Sequence, residues 1–288
     1  MKKIPVIIGA TSVGKTNYSI GFALENNLEI ISADSMQVYK QMNIGTAKPT
    51  KEEMGGINHH LMDIINPDEE WNLFKFVKQA RQLLFATEKN YLVVGGTGLY
   101  IKALINNYGA PESLPDEILR SKYLAISSEK GVEALHNLLK GVDAVSAEKI
   151  KPRDEFRIIR ALEVYEQTGI PFSQQKNMDT SFADKFRLIC LDMDRALLYK
   201  RIGERVDKMV EKGLFTEVQM LLDKGYSKEL TSMQALGYKE VIMHFEGLLS
   251  KADCLELIKK KTRNFAKRQL TWYRSFPNVE WITLPSQL

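Results

Sequence analysis

The sequence predicts an α/β protein: a parallel sheet flanked by helices, with an all-helical insertion. Three observations carry this. The stretch Gly9-Ala10-Thr11-Ser12-Val13-Gly14-Lys15-Thr16 fits the phosphate-loop pattern GxxxxGK[ST] at every fixed position, which makes the sheet P-loop NTPase-like. Short apolar runs at Ile4 to Ile8, Glu29 to Ser32, Tyr91 to Val94 and Phe186 to Leu191 have the length of buried strands. Between Leu114 and Asp184 lies a run of about seventy residues with helical texture and no strand signal, long for one crossover. Residues 1–112 and 185–288 are therefore expected to form the core, and residues 113–184 a helical insertion domain.

Composition sets outer limits. A chain of 288 residues suits one large domain or two modest ones, and its apolar fraction of 44% is ordinary for a globular protein. No apolar run is long enough to span a membrane. Met1-Lys2-Lys3-Ile4 leads straight into a strand, so no signal peptide is expected. Cys190 and Cys254 stand far apart without metal-ligand spacing and read as reduced thiols of a cytoplasmic protein. A formal net charge of +4 does not by itself argue for nucleic acid.

Taken in order, the first strand, Ile4 to Ile8, feeds the phosphate loop, and Tyr18 to Leu24 reads as the helix after it. Such a loop turns successive N–H groups toward an anion at a helix N-terminus. Lys15 offers a charge to the terminal phosphate, and the Thr16 hydroxyl can reach a bound magnesium ion. Asp34 follows the strand Glu29 to Ser32, at the carboxyl end where ligands bind in open parallel sheets. Two readings stay open for it. It can take a proton or hold magnesium, or it can serve as the helix cap that Asp-Ser so often forms. Gly45-Thr46-Ala47-Lys48-Pro49 is a polar loop with one lysine. His59 and His60 sit in an extended segment and point to opposite sides with no third ligand, so they are structural or ligand-contacting residues and not a metal site.

Trp71 to Lys89 reads as a helix. The strand Tyr91 to Val94 ends in Gly95-Gly96-Thr97-Gly98, without the aspartate that holds magnesium in many NTP hydrolases, and the helix Leu99 to Ile105 follows. Pro111 and Asp184 frame the insertion as hinge positions. Inside it Asp116 reads as a helix cap, Asp154 to Gln167 as an amphipathic helix with Arg157 and Arg160, and Asn177 to Ala183 as a polar loop. After the strand Phe186 to Leu191 comes a helix with Arg201, Arg205 and Lys208. The first two share a face and can clamp phosphate oxygens or form a solvated stripe. From Leu257 to Arg274 the chain carries Lys259, Lys260, Lys261, Arg263, Lys267, Arg268 and Arg274 with no acid between them. Ile258, Phe265 and Trp272 recur every seven residues and are expected to face the core, leaving a basic face for a polyanion such as RNA.

The phosphate loop, Ile31-Ser32-Ala33-Asp34-Ser35-Met36-Gln37-Val38-Tyr39, Gly45 to Pro49, Gly95 to Tyr100, Arg160 to Val164, Gly237-Tyr238-Lys239-Glu240 and Phe265 to Trp272 occur in this order. Together they resemble the bacterial tRNA dimethylallyltransferases, or tRNA isopentenyltransferases, over nearly the whole chain. Ala10 stands where that family often has proline, which leaves the cradle intact. No Cys/His cluster follows Trp272, so the zinc-finger region of eukaryotic members is not expected here. The resemblance implies transfer of a dimethylallyl group from dimethylallyl diphosphate to the exocyclic amine of the adenosine 3′ to the anticodon, with release of diphosphate and with magnesium as cofactor. It implies that Gly9 to Thr16 and Arg205 hold the diphosphate, and that Asp34, Thr97 and Lys15 do the chemistry. Asp34, Ser35, Met36, Gln37, Thr97, Arg120, Phe156, Arg157, Ile158, Ile159, Arg160, Lys267 and Arg268 are then expected to contact the tRNA anticodon stem-loop. The protein is expected to act as a cytoplasmic monomer. Competing readings are a P-loop small-molecule or nucleotide kinase, and an isopentenyltransferase acting on free adenine nucleotides.

Overall fold

The computed structural model describes residues 3–86, 88–106, 115–175 and 180–285. Its strands are β1 (Ile4–Gly9), β2 (Glu29–Ser32), β3 (His59–His60), β4 (Tyr91–Gly95), β5 (Phe186–Asp192) and β6 (Glu280–Thr283). Its helices are α1 (Lys15–Asn26), α2 (Leu73–Ala86), α3 (Gly98–Ile105), α4 (Glu117–Lys130), α5 (Val132–Val142), α6 (Ala144–Lys149), α7 (Glu155–Thr168), α8 (Arg195–Glu211), α9 (Leu214–Asp223), α10 (Tyr238–Phe245) and α11 (Lys251–Arg274). The chain divides into two compact units, Met1–Asn106 with Thr180–Leu288, and Asn107–Asp179.

The first unit is built on one parallel sheet in the order β3-β2-β4-β1-β5-β6. Central β1 pairs with β4 on one side (Val6 opposite Val93) and with β5 on the other (Val6 opposite Leu188). Helices cover both faces, so the central strands are apolar throughout: Val6, Ile7, Ile8, Leu92 and Val93 are fully buried. The strand order reverses at β1, and the crevice at the carboxyl ends of β1, β2 and β4 is where such a sheet receives ligands. The two cysteines are buried and free.

Two elements depart from the sequence reading. Strand β6, Glu-Trp-Ile-Thr, was not foreseen; it is short and half polar, and its pairing with β5 defines it. Helix α11 starts at Lys251, where the Ser250 hydroxyl accepts from the Asp253 amide at 3.1 Å. Its core face is Ile258, Thr262, Ala266, Gln269 and Tyr273, whereas Phe265 is exposed. Of the seven-residue row, Ile258 is buried but Phe265 is exposed and Trp272 only half-buried, so the row does not stay on the core. A straight helix drifts by about 20° per seven residues, and steps of four and three track the buried side instead.

The second unit is all-helical among its described residues. Leu135, Leu139, Ile158 and Leu162 from α5 and α7 form its core. Asp116 caps α4, accepting from the Ile118 and Leu119 amides at 2.9 and 3.0 Å. Asp154 caps α7 through the Arg157 amide. Of the hinge positions, Pro111 lies outside the described residues, as do the first residues of the Asn177 to Ala183 loop; Asp184 lies in the 3-10 helix Thr180–Lys185.

Candidate active site

The phosphate loop joins β1 to α1. Gly9 has φ +154, and a Cβ there would stand 2.7 Å from the Leu191 carbonyl oxygen, so the loop leaves the sheet through a gap only glycine fits. Gly14, at φ +108, is the N-cap of α1. The N–H groups of Lys15 and Thr16 open the helix and have no acceptor within it. Lys15 Nζ donates to the carbonyl oxygens of Gly9 and Ala10, both at 2.9 Å. Ala10 and Val13 bury their side chains and face the cradle with backbone only. The Ser12 hydroxyl is buried and has no hydrogen-bond partner among the described residues, as befits an oxygen or amide site meant for a ligand. Thr11 departs from the expectation of a free amide. Its N–H donates to Gln269 Oε1 at 2.8 Å, and only its hydroxyl, which accepts from Arg205 at 3.2 Å, stays on the cavity side.

A cavity of about 450 Å³ opens beside this loop. Lys15, Thr16, Asp34, Gln37, Arg201 and Arg205 line it, so Arg201 and Arg205 face this cavity and do not form a stripe out in solvent. Lys208 of α8 and Lys212 just past its end add cations to the lining, beside Glu204. Burial, then the Arg205 guanidinium, push the Lys15 ammonium down to about 8, with Asp34 opposing. Burial also lowers Arg205, again opposed by Asp34. Cations held against their own solvation in this way gain most from an anion brought among them.

Across the cavity the ends of β2 and β4 are pressed together. A Cβ on Gly95 would collide with the Ala33 carbonyl. The Thr97 amide donates to Ala33 O at 3.3 Å, and Thr97 Oγ1 accepts from the Ser35 amide at 3.1 Å. Asp34 Oδ1 accepts from the Met36 and Gln37 amides at 2.9 and 3.2 Å. The capping reading of Asp34 is met through Oδ1, and the residue also lines the cavity. The Gln37 side-chain amide donates to the Thr46 and Ala47 carbonyls, which ties the Asp34 turn to the Gly45 to Pro49 loop. A smaller cavity of about 60 Å³ runs behind Lys15, lined by Thr16, Ser32, Asp34 and Gln37. These oxygen donors suit magnesium, which keeps several waters and takes few protein ligands.

Two residues organise this wall: Glu217, which sequence reading passed over, and Gln269, which it placed on an RNA-binding helix and which is instead buried. Glu217 of α9 is buried and accepts from the amides of Asn43, Ile44 and Gly45 at 2.8–3.1 Å. The Tyr238 hydroxyl donates to the same carboxylate at 2.6 Å, and its ring lies where a Cβ of Gly45 would go. The sequence signal was an acid on an apolar face: Leu214, Glu217, Val218 and Leu221 share one side of α9. Gln269 is the other. Its Nε2 donates to Gly96 O at 2.9 Å while its Oε1 holds Thr11. His59 pairs through Nδ1 with the Ile57 carbonyl and lines the smaller cavity, and His60 lies 2.6 Å from Glu29. Burial favours a neutral Glu29, but Lys89, Asn58 and His60 outweigh it and hold the carboxyl at about 2.

In the helical unit Glu163 is fully buried, yet it accepts from Arg120 Nε and the Asp116 amide at 3.0 and 2.7 Å and pairs with Arg160. Two of the arginines expected to face tRNA, Arg120 and Arg160, are thereby held in place by one carboxylate. Phe156 is 76% exposed, and the Arg157 side chain is exposed beside it. Ile158 and Ile159 do not belong with them. They are 0% and 6% exposed, packed into the core of the helical unit with Leu135, Leu139 and Leu162. On α11, Lys259 pairs with Asp207 at 2.8 Å and Lys261 with Glu240 at 2.7 Å, so acids from other elements pair two cations of the basic run, neither of them on the expected face of Lys260, Arg263, Lys267 and Arg274. Lys267 and Arg268 remain exposed, near the rings of Tyr199 and Phe265. Among the described residues, no helix is long and apolar enough to cross a membrane, and no cluster of three His, Cys, Asp or Glu could hold a metal.

Comparison with known proteins places this geometry. The profile of the IPP transferase family matches residues 37–276. A tRNA dimethylallyltransferase of Carboxydothermus hydrogenoformans is 48% identical over 285 residues, covering 97% of this chain and 91% of the relative. The crystal structure of a full-length tRNA isopentenylpyrophosphate transferase from Bacillus halodurans is 40% identical with a TM-score of 0.72, covering 98% of this chain and 90% of that one. A eukaryotic dimethylallyltransferase captured acting on tRNA is 31% identical with a TM-score of 0.82, covering 98% of this chain and 74% of that one.

Proposed function

The chain belongs to the IPP transferase family, and we propose that it moves the dimethylallyl group of dimethylallyl diphosphate onto the exocyclic N6 amine of the adenosine 3′ to the anticodon, in tRNAs that read codons beginning with U. It is a prenyl-transferring enzyme of tRNA. One observation carries the finer reading: the cradle of Lys15 and Arg205 and the carboxylate of Asp34 share a single cavity.

The diphosphate is taken by the open amides of α1, the Ser12 hydroxyl, Lys15 and Arg205. As the C1–O bond of the donor breaks, diphosphate leaves with the electron pair. An allylic carbon tolerates positive charge, so holding the leaving group carries much of the rate. The N6 lone pair forms the C1–N bond, and the amine proton passes to the Asp34 carboxylate, pinned through Oδ1 by two amides. Thr97, bonded to the Ser35 amide, keeps this turn in place. Magnesium, held through Thr16 with Asp34 and Ser32 nearby, would supply further charge against the departing diphosphate. The adenosine must unstack to enter, a cost of a few kcal/mol that tRNA contacts offset. Ser35, Met36, Gln37, Arg120, Phe156, Arg157, Arg160, Lys267 and Arg268 are proposed for those contacts, Phe156 as a stacking face and the cations for phosphates. Read as a cytoplasmic monomer, the protein needs no second copy for any group named here.

The experiment supplies labelled dimethylallyl diphosphate and magnesium, and offers unmodified tRNA and AMP in parallel. Label at the adenosine beside the anticodon is expected. Label in AMP alone would move the protein to the free-nucleotide class, and label in neither would overturn the transferase reading.

A further inference from the structure

Gln269 sits on α11, far in sequence from both halves of the site, and is 4% exposed. Its two amide ends are both used. Oε1 accepts from the Thr11 amide at 2.8 Å, and Nε2 donates to the Gly96 carbonyl at 2.9 Å. One turn on, the Tyr273 hydroxyl donates to the same Gly96 oxygen at 2.9 Å, so both lone pairs of that carbonyl are filled. Gly96 must be glycine for this to occur, since a Cβ there would stand 2.6 Å from Gln269 Nε2.

The peptide so fixed leads directly into Thr97, whose Oγ1 accepts from Ser35 next to Asp34. On the other side, Thr11 belongs to the phosphate loop and takes Arg205 on its hydroxyl. A single buried side chain therefore connects the loop that holds the diphosphate to the turn that holds the adenine-facing carboxylate. We propose that Gln269, assisted by Tyr273, is a positioning residue that sets the distance between donor and acceptor in the transfer reaction. It touches no reacting atom. An amide is suited to the task because it offers one acceptor and one donor in a fixed plane. A hydroxyl is too short to span the two partners, and a carboxylate has no donor for Gly96. This inference rests on the transferase reading above.

The test uses the full chain with tRNA and dimethylallyl diphosphate, comparing the parent with Gln269→Met, Tyr273→Phe and the double variant. Methionine keeps the length and loses both bonds. Misplacing the halves by a fraction of an ångström should lower kcat for Gln269→Met roughly 10- to 100-fold, with KM for dimethylallyl diphosphate and Kd for tRNA within about threefold of the parent. Tyr273→Phe, which removes one hydroxyl, should lose roughly three- to tenfold in kcat. Because both act on one carbonyl, the double variant should lose less than the product of the two. A kcat within twofold of the parent for Gln269→Met, or a loss lying wholly in KM, overturns the proposal. If Gln269→Met does not fold, an unchanged kcat for Tyr273→Phe overturns it. A parent enzyme that labels no tRNA would instead sink the transferase reading, which keeps the two failures apart.

Discussion

The guanidinium of Arg205 donates to the hydroxyl of Thr11 at 3.2 Å across 194 residues of chain. The contact brings a second cation against the phosphate loop, and its charge reaches Lys15, whose ammonium burial and Arg205 together push down to about 8. The loop is thus built with its charge under pressure until an anion arrives.

A pH dependence follows, and its sign is definite. Diphosphate needs the charged Lys15, so KM for dimethylallyl diphosphate should rise as pH climbs through about 8. Binding should take up close to one proton near pH 9 and little near pH 7, read from calorimetry in buffers of different ionisation enthalpy. Arg205→Gln should move that limb to higher pH while weakening binding. For folding the sign is opposite: between about 8 and the ordinary 10.5 the unfolded chain holds more protons at Lys15, so its contribution to stability grows with pH across that window. Uptake that is equal at both pH values would remove Lys15 from the cradle.

Asp34→Asn separates capping from proton transfer. The amide oxygen can still accept from Met36 and Gln37, so the melting temperature and tRNA affinity should stay near those of the parent. The base is lost, and kcat should fall about 10²- to 10⁴-fold. Asp34→Ala should add a loss of about 1 kcal/mol in stability from the missing cap. Full activity in the asparagine variant would take the proton-acceptor role from Asp34.

Buried Glu217 satisfies three backbone amides and a tyrosine hydroxyl. Glu217→Ala should therefore destabilise the protein by about 3 kcal/mol or more, measured by urea unfolding. Gly45→Ala should cost about 1–3 kcal/mol by driving a methyl into the Tyr238 ring. If both variants melt with the parent, the loop is not anchored here.

Phe156 and Ile158 are two residues apart and should behave oppositely. Phe156→Ala should leave stability unchanged and weaken tRNA binding by about 1–3 kcal/mol if the ring stacks on a base. Ile158→Ala should destabilise by about 2–5 kcal/mol, with its tRNA affinity intact at temperatures where it is folded. Filter binding and thermal melting of the two variants decide it.

Much of the core was legible in one dimension because its signals are local. The phosphate loop, the apolar strands, the cap Asp116 and the helix that opens at Asp154 depend on neighbours a few residues away, and the structure has them where the sequence put them. Burial along α11 was not legible. Seven-residue spacing pointed to Phe265, but the sheet beneath selected Gln269 and Tyr273.

What the sequence determined by itself is the chemistry on offer: an anion cradle with Lys15 and Thr16, a carboxylate past the end of β2, and cations along α8 and α11. What only the tertiary structure decided is how those groups pair. Arg201 and Arg205 became a cavity wall, Lys259 and Lys261 were claimed by Asp207 and Glu240, and Ile158 went to a core. Glu217 and Gln269, which look unexceptional in the chain, became the joints of the site. The reason is physical. A strand or a cap is defined by hydrogen bonds and apolar spacing within a few residues, whereas the worth of a charge or an amide depends on what lies within about 3–4 Å of it, and folding brings that neighbour from anywhere in the chain.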